Sequence, residues 1–174
     1  MKRAIWLMSA VGSLVAIAIA GAARESGPAL PGGAVADRVV IDKSKRTLTL
    51  LRGTDRLKTY RISLGWNPVG HKQQEGDGRT PEGVYAIDFH KRDSAYHRAL
   101  HISYPNAQDV RAASERGASA GGDIMIHGLR NGLGAVGALH RKRDWTAGCI
   151  AVTNREVEEI WRAVPDGTPV EITP

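Results

Sequence analysis

Cysteine is almost absent from this chain: its 174 residues contain a single one, Cys149. An internal disulfide is therefore excluded, because Cys149 has no partner with which to form one. Exported domains normally carry paired cysteines. A lone thiol in an exported chain is thus expected to be reactive or to pair with another molecule. The alternative is a small buried side chain, since unpaired cysteine is among the most buried residue types.

Compact metal-binding motifs are absent as well. The sequence contains neither Cys-x-x-Cys nor His-Glu-x-x-His. His127, His140 and Cys149 offer the nitrogen and sulfur atoms that zinc prefers, but their spacings of 13 and 9 residues match no compact zinc motif. The sequence therefore predicts no metal and no cofactor.

Aromatic residues are scarce, at 5% of the chain, and none is interleaved with the densest basic cluster, Arg141-Lys142-Arg143. The formal net charge is +6, yet the other basic residues are spread along the sequence. Nucleic-acid-binding domains usually concentrate basic residues on one face. The pattern indicates a solvated basic face, or a surface for an anionic polymer or a substrate carboxylate outside the cell, and it predicts no nucleic-acid partner.

One long apolar run exists, and it lies at the N-terminus. Lys2 and Arg3 precede residues 4–20, which carry no charge, and small residues follow at 18–22. This order predicts a signal peptide over residues 1–22, with an uncleaved membrane anchor as the alternative. Residues 23–36, rich in glycine and proline, are predicted to be a flexible tether.

Residues 37–174 suit one domain, since no repeat or low-complexity tract divides them. Short apolar runs separated by turns predict a mainly β fold, a β-sandwich of mixed sheets with two short peripheral helices. The first helix is expected over residues 106–116, capped by Asn106. The second begins at Thr153, where Thr153 and Glu156 fit a capping box. The strands are predicted at residues 39–41, 47–51, 59–64, 84–89, 100–104, 124–126 and 169–173.

Two residues carry the chemistry that the pattern indicates. Cys149 follows Gly148 and precedes an apolar run, and His127 ends the run 124–126. A histidine beside a thiol can take its proton and leave a nucleophilic thiolate, which covalent catalysis requires. We expect the thiol pKa to fall towards neutrality for this reason.

Three segments in this order resemble an L,D-transpeptidase catalytic domain of the YkuD type. They are Thr80-Pro81-Glu82-Gly83-Val84-Tyr85, Ile126-His127-Gly128 and Gly148-Cys149-Ile150, and the likeness covers residues 37–173. The loop that begins at Gly65, together with Asp144-Trp145-Thr146, is most similar to a compact periplasmic branch of that family. The resemblance implies a β-sandwich in the periplasm whose cysteine attacks peptidoglycan stem peptides.

The same resemblance implies a mechanism. Cys149 would attack the carbonyl of the third stem residue and expel the terminal D-alanine, with His127 as base and then acid. The N–H groups of Gly148 and Cys149 would hold the oxyanion. An amine on another stem or on a lipoprotein lysine would then resolve the thioester. If water resolved it instead, the enzyme would be an L,D-carboxypeptidase or an amidase that cuts peptidoglycan–protein links. A non-catalytic wall-binding module is the remaining alternative.

Two departures from the family pattern leave the substrate site open. Ala147 stands where the family has a second histidine, and Ala151 where it has an arginine. Arg130, Arg141 or Arg143 could replace that arginine as a carboxylate clamp. The full set of candidate substrate-binding residues is Gly128, Arg130, His140, Arg141, Arg143, Trp145 and Thr146.

Overall fold

The computed structural model describes residues 27–174, so the predicted signal peptide lies outside the described residues. Within them, no helix is long and apolar enough to cross a membrane. The strands are β1 (Arg38–Asp42), β2 (Thr47–Arg52), β3 (Asp55–Arg61), β4 (Gly83–Ser94), β5 (His97–Ile102), β6 (Met125–His127), β7 (Ile150–Ala151) and β8 (Pro169–Thr173). The helices are α1 (Ala107–Glu115), α2 (Asn154–Ala163) and a 3-10 segment (Gly134–Lys142).

All eight strands form one curled sheet in the order β3-β2-β1-β8-β4-β5-β6-β7. The pairs β1–β8 and β6–β7 are parallel, and the others are antiparallel. Just beyond β3, Ser63 bridges Ala151 of β7, and Gly65 bridges Thr146. The chain that leaves one end of the sheet therefore meets the other end. We call this junction, residues 63–65 against 146–151, the seam.

The core lies inside the curl, and alternation along the strands accounts for it. Val39 and Ile41 of β1 are fully buried, as are Leu48 and Leu50 of β2, while the residues between them are partly exposed. Side chains two residues apart share a face of a strand, so each strand contributes one apolar face. Helix α2 covers this core with Val157 and Ile160, which are also fully buried.

The predicted mainly β fold with mixed strand pairing is confirmed, and so are both capped helices. Asn106 caps α1, and Thr153 forms the expected capping box with Glu156 at the start of α2. The two halves of the predicted sandwich are joined in one sheet, because β4 is 12 residues long and pairs with β8 first and β5 later. The 3-10 segment was not predicted. It is rich in glycine and kinks at Gly137, where φ is +50°, so it has little apolar periodicity.

The end of the predicted tether is not free of the domain. Ala36 is buried, its N–H donates to Ala163 O at 2.7 Å, and Leu30 packs against the core. The predicted flexible tether, residues 23–36, thus contacts the domain at Leu30 and Ala36, because even small or isolated apolar side chains gain by covering the core surface.

Candidate active site

Cys149 lies on a tight turn that leads directly into β7. The Thr146 hydroxyl holds this turn: it donates to Cys149 O at 2.7 Å and accepts from Gly148 N at 3.1 Å. Gly148 has φ +137°, and a Cβ there would lie 2.7 Å from Arg79 O. Only glycine fits this backbone conformation and this close approach. Thr146, predicted to bind substrate, is buried and fixes the shape of this turn, residues 146–149, which we call the nucleophile turn after the predicted role of Cys149.

His127 ends the neighbouring strand β6. In the parallel β6–β7 ladder, Ile126 pairs with Ile150 and His127 pairs with Ala151. Cys149 lies two residues before Ala151, so the side chains of His127 and Cys149 lie on the same face of these two neighbouring strands. The imidazole is buried, and its Nδ1 lies 2.7 Å from Gly128 O. A carbonyl only accepts, so Nδ1 carries the proton and Nε2 keeps a basic lone pair. Burial lowers the pKa of His127, against the raising effect of that hydrogen bond, so the ring is neutral at pH 7.

The Cys149 thiol hydrogen-bonds to Asp123 O, with the sulfur 3.4 Å from the oxygen. Burial raises the pKa of Cys149, and the Asp123 carboxylate raises it further, while a hydrogen bond from the Met125 backbone opposes the shift. The predicted fall towards neutrality is therefore wrong. Burial removes water from the thiolate, and the neutral His127 supplies no positive charge to compensate.

Thiol and imidazole line one cavity of about 450 Å³. Tyr96 and Trp145 form its aromatic wall: the Tyr96 ring lies 4.6 Å from His127, and the Trp145 ring lies 5.9 Å from it. The same two aromatic residues also line a second cavity of about 610 Å³. We call these the thiol cavity and the side cavity. The side cavity is lined mainly by apolar side chains, among them the exposed Leu133, Val136 and Leu139.

His140 lines the side cavity and not the thiol cavity. Its Nδ1 accepts from Trp145 Nε1 at 3.3 Å, and an indole nitrogen only donates, so the His140 proton is on Nε2. Burial lowers the pKa of His140 to about 4, helped by the charge of Arg141. His140 therefore supports the aromatic wall as a neutral ring.

The three candidate arginines differ in their surroundings. Arg141 pairs with the buried Glu156 at the start of α2, so it is held by the fold. Arg130 and Arg143 are exposed and lie at the side cavity. Gly128 acts through its backbone, because its carbonyl orients His127 and a Cβ there would lie 2.8 Å from Asn154 Oδ1.

The two predicted oxyanion donors are not equivalent. The Gly148 N–H already donates to Thr146, which contradicts its expected availability for substrate. The Cys149 N–H, by contrast, has no acceptor within residues 27–174. One backbone donor is therefore available beside the thiol.

Within residues 27–174, no group of three or more His, Cys, Asp or Glu side chains is placed to hold a metal ion. His127 and His140 belong to different cavities on either side of the aromatic wall. The zinc alternative thus has no support in the described residues.

Sequence reasoning missed Tyr96 and Asp123. Tyr96 lies on the β4–β5 turn, and Asp123 precedes β6 with a φ of +53°. No local pattern marks these two residues, because each reaches the site through a contact with a distant part of the chain. Asp144 was noted only as part of the family resemblance; its carboxylate begins the segment that leads to Cys149 and accepts from Leu64 N at 2.9 Å.

Comparison with known proteins agrees with this fold. The family model for the L,D-transpeptidase catalytic domain, YkuD, matches residues 36–172. The chain therefore belongs to the L,D-transpeptidase catalytic-domain family, whose members act on peptidoglycan stem peptides. Among curated proteins it is similar to "Putative L,D-transpeptidase YafK" of Escherichia coli (strain K12), with 32% identity over 132 residues that cover 72% of this chain and 46% of that protein.

Solved structures share the fold. The helical cell shape determining protein Pgp2 of Campylobacter jejuni (K307A mutant) matches with a TM-score of 0.56 and 24% identity over 85% of this chain and 49% of that one. Bd1075 of Bdellovibrio bacteriovorus matches with a TM-score of 0.54 and 21% identity, and the match covers 87% of this chain and 52% of that one. The chain thus spans about half the length of these relatives.

Proposed function

We propose that the protein is a cysteine acyltransferase of peptidoglycan stem peptides, an L,D-transpeptidase with Cys149 as nucleophile and His127 as base. The observation that carries this proposal is the tautomer of His127. Its Nδ1–H is fixed on Gly128 O, so Nε2 keeps its lone pair in the cavity that also contains the thiol. An imidazole held this way is ready to accept a proton.

The raised thiol pKa and lowered imidazole pKa favour proton transfer during attack over a preformed thiolate–imidazolium pair. Sγ forms a bond to the carbonyl carbon of the third stem residue while its proton passes to His127 Nε2. The tetrahedral intermediate then collapses, the bond to the terminal D-alanine breaks, and His127 protonates the leaving amine. An acceptor amine then attacks the thioester carbonyl, and its proton passes to His127 Nε2. The C–S bond breaks as the imidazole gives that proton to the leaving sulfur, which releases the thiol.

The oxyanion would accept from the Cys149 N–H, the donor beside the thiol that has no acceptor of its own within the described residues. One such donor is typically worth about 3 kcal/mol of barrier. The Thr146 hydroxyl keeps this N–H in place, because it bonds the turn on both sides of Ala147. Thr146 is thus a positioning residue.

Substrate would contact both cavities around the Tyr96–Trp145 wall. Arg130 and Arg143 are the better carboxylate clamps, because they are exposed at the side cavity whereas Arg141 is engaged by Glu156. The acceptor is an amine of a second stem or of a lipoprotein lysine. We place this reaction in the periplasm, where the predicted signal peptide would deliver the chain.

Hydrolysis is a second candidate because two of the residues that line the thiol cavity, Ala95 and Ala147, have small side chains, and bulkier ones there would exclude more water. Ala147 is exposed and stands where the family pattern has histidine. Water reaching the thioester would make the enzyme an L,D-carboxypeptidase or an amidase.

The test is mass spectrometry of the purified protein incubated with disaccharide-tetrapeptide fragments, beside Cys149→Ala. Cross-linked dimers that lack one D-alanine, absent with the variant, are the expected result. Tripeptides without dimers would assign hydrolysis instead. Unchanged tetrapeptide in both samples would refute the proposed donor and leave the wall-binding module as the better account.

A further inference from the structure

The turn between β1 and β2 connects to both segments that enclose the nucleophile. This turn, residues 43–46, reads in the sequence as an ordinary polar hairpin turn. In the structure two of its side chains contact distant segments of the chain. Lys43 reaches the loop that leads to β4, and Arg46 reaches the segment that leads to Cys149.

Lys43 holds the first of these segments. Its side chain is only 2% exposed, and its ammonium donates to Gly70 O at 2.6 Å, Thr80 O at 2.9 Å and Glu82 Oε1 at 2.7 Å. All three donors of the ammonium are therefore satisfied by one loop. A buried charge with a full set of partners fixes those partners in space, because releasing any of them leaves the charge unsolvated.

Arg46 holds the second segment. Its Nε and Nη2 both donate to Asp144 Oδ2, at 3.0 and 2.8 Å, while Asp144 Oδ1 accepts from Leu64 N at 2.9 Å. Leu64 O in turn accepts from Trp145 N and Thr146 N, both at 3.1 Å. The Asp144 carboxylate thus ties the start of the nucleophile turn to the hairpin turn and to the seam.

The two held segments meet at Gly148. On one side, the Thr80 hydroxyl accepts from Gly65 N at 3.2 Å, and Arg79 O approaches Gly148 so closely that a Cβ would lie 2.7 Å from it. On the other side, Thr146 bonds both Gly148 and Cys149. A shift of either segment therefore moves the thiol and the Cys149 N–H together.

We propose that Lys43 and Arg46 are positioning residues for the nucleophile: the hairpin turn sets the distance between residues 79–80 and 144–146, and so fixes the thiol and the backbone donor. This inference rests on the proposed function only for the measurements of kcat and KM, and the measurements of unfolding and alkylation do not depend on it. Neither side chain lines the thiol cavity, so both act through other residues.

The test compares Lys43→Met, Arg46→Met and Arg46→Lys with Lys45→Met as the matched control. Lys45 belongs to the same turn, but its side chain is 75% exposed and, among residues 27–174, pairs only with Asp42. Three quantities are measured for each full-chain variant: the free energy of unfolding in urea, the rate of Cys149 alkylation by iodoacetamide against pH, and kcat and KM for tetrapeptide. Cys149→Ala is the alkylation blank, since the chain has no other cysteine.

We expect kcat to fall about tenfold or more in Lys43→Met and Arg46→Met with KM within about threefold, since a misplaced reacting group slows chemistry more than binding. The rate of Cys149 alkylation at pH 7 should rise at least fivefold in both variants, and the apparent pKa of the thiol should fall. The increase in rate should exceed the part that global unfolding explains, as calculated from the measured free energy of unfolding. Arg46→Lys keeps the charge but not the two-donor contact, so it should lie between wild type and Arg46→Met.

If alkylation and kcat of Lys43→Met and Arg46→Met match those of Lys45→Met once unfolding is accounted for, the inference is wrong. A wild type that alkylates but never turns over tetrapeptide would count against the proposed function alone. The alkylation profiles would still decide the positioning role in that case. Asp144→Asn tests the same contact from its other side, and it should change alkylation and kcat as Arg46→Met does. The double variant Arg46→Met/Asp144→Asn should show little further change beyond either single variant.

Discussion

Gly148→Ala is the sharpest perturbation that the site offers. Its φ of +137° belongs to a region that essentially only glycine adopts, which costs another residue about 1–3 kcal/mol. The new Cβ would also lie 2.7 Å from the Arg79 carbonyl oxygen, so one backbone segment must move. We expect a loss of about 3–4 kcal/mol in the free energy of unfolding from strain and contact together.

Gly117→Ala is the matched control, because Gly117 also has positive φ, +68°, but no atom of residues 27–174 beyond its own chain neighbours lies within 4 Å of the position that a Cβ would take. Left-handed backbone alone costs alanine about 1 kcal/mol. The Tm should therefore fall by about 10 °C in Gly148→Ala and by about 3 °C in the control. Iodoacetamide alkylation of Cys149 should change only in Gly148→Ala. Equal shifts, with unchanged thiol reactivity, would refute the account of the nucleophile turn.

Two further predictions concern buried charge. Because the folded pKa of His140 is lowered to about 4, the unfolded chain binds more protons below pH 6.5, so stability falls as pH falls from 7 to 5. His140→Gln should reduce that loss by about 2 kcal/mol in urea unfolding at the two pH values, and an unchanged loss would contradict the assigned pKa. Glu159→Gln leaves the nearly buried Lys58 ammonium without its carboxylate and should cost about 3–5 kcal/mol. The control Glu158→Gln, at a more exposed ion pair, should stay within about 1 kcal/mol in the same urea assay. Similar losses in the two variants would show that the Lys58 pair contributes no more than a surface contact.

The features that the sequence predicted are those with local signals. The first hairpin, the Asn106 cap and the Thr153–Glu156 capping box depend on residues a few positions apart, so their patterns are visible in the chain. His127 and Cys149 were identified as candidates because each ends or precedes a short apolar run. Their side-by-side placement then follows from one parallel strand pair.

The features that it missed depend on contacts between distant residues or on burial. Lys43 meets Thr80, and Arg46 meets Asp144, nearly a hundred positions away, with nothing in either segment to indicate the partner. The group that orients His127 is a backbone carbonyl, which leaves no trace in composition. The direction of the thiol pKa could not be inferred either, because the burial that raises it depends on the folded surroundings of Cys149 and leaves no mark in the sequence.

The seam has a consequence for how the molecule folds. It joins residues 63–65 to residues 146–151, so the segment that carries the thiol takes its native shape only after most of the intervening chain has been placed. Contacts of such long sequence separation are entropically costly to close and form slowly. A partly folded chain would therefore lack the native thiol cavity even if its hairpins and helices were complete. The rate of Cys149 alkylation thus reports on completed folding of the whole domain, and not on the local turn alone.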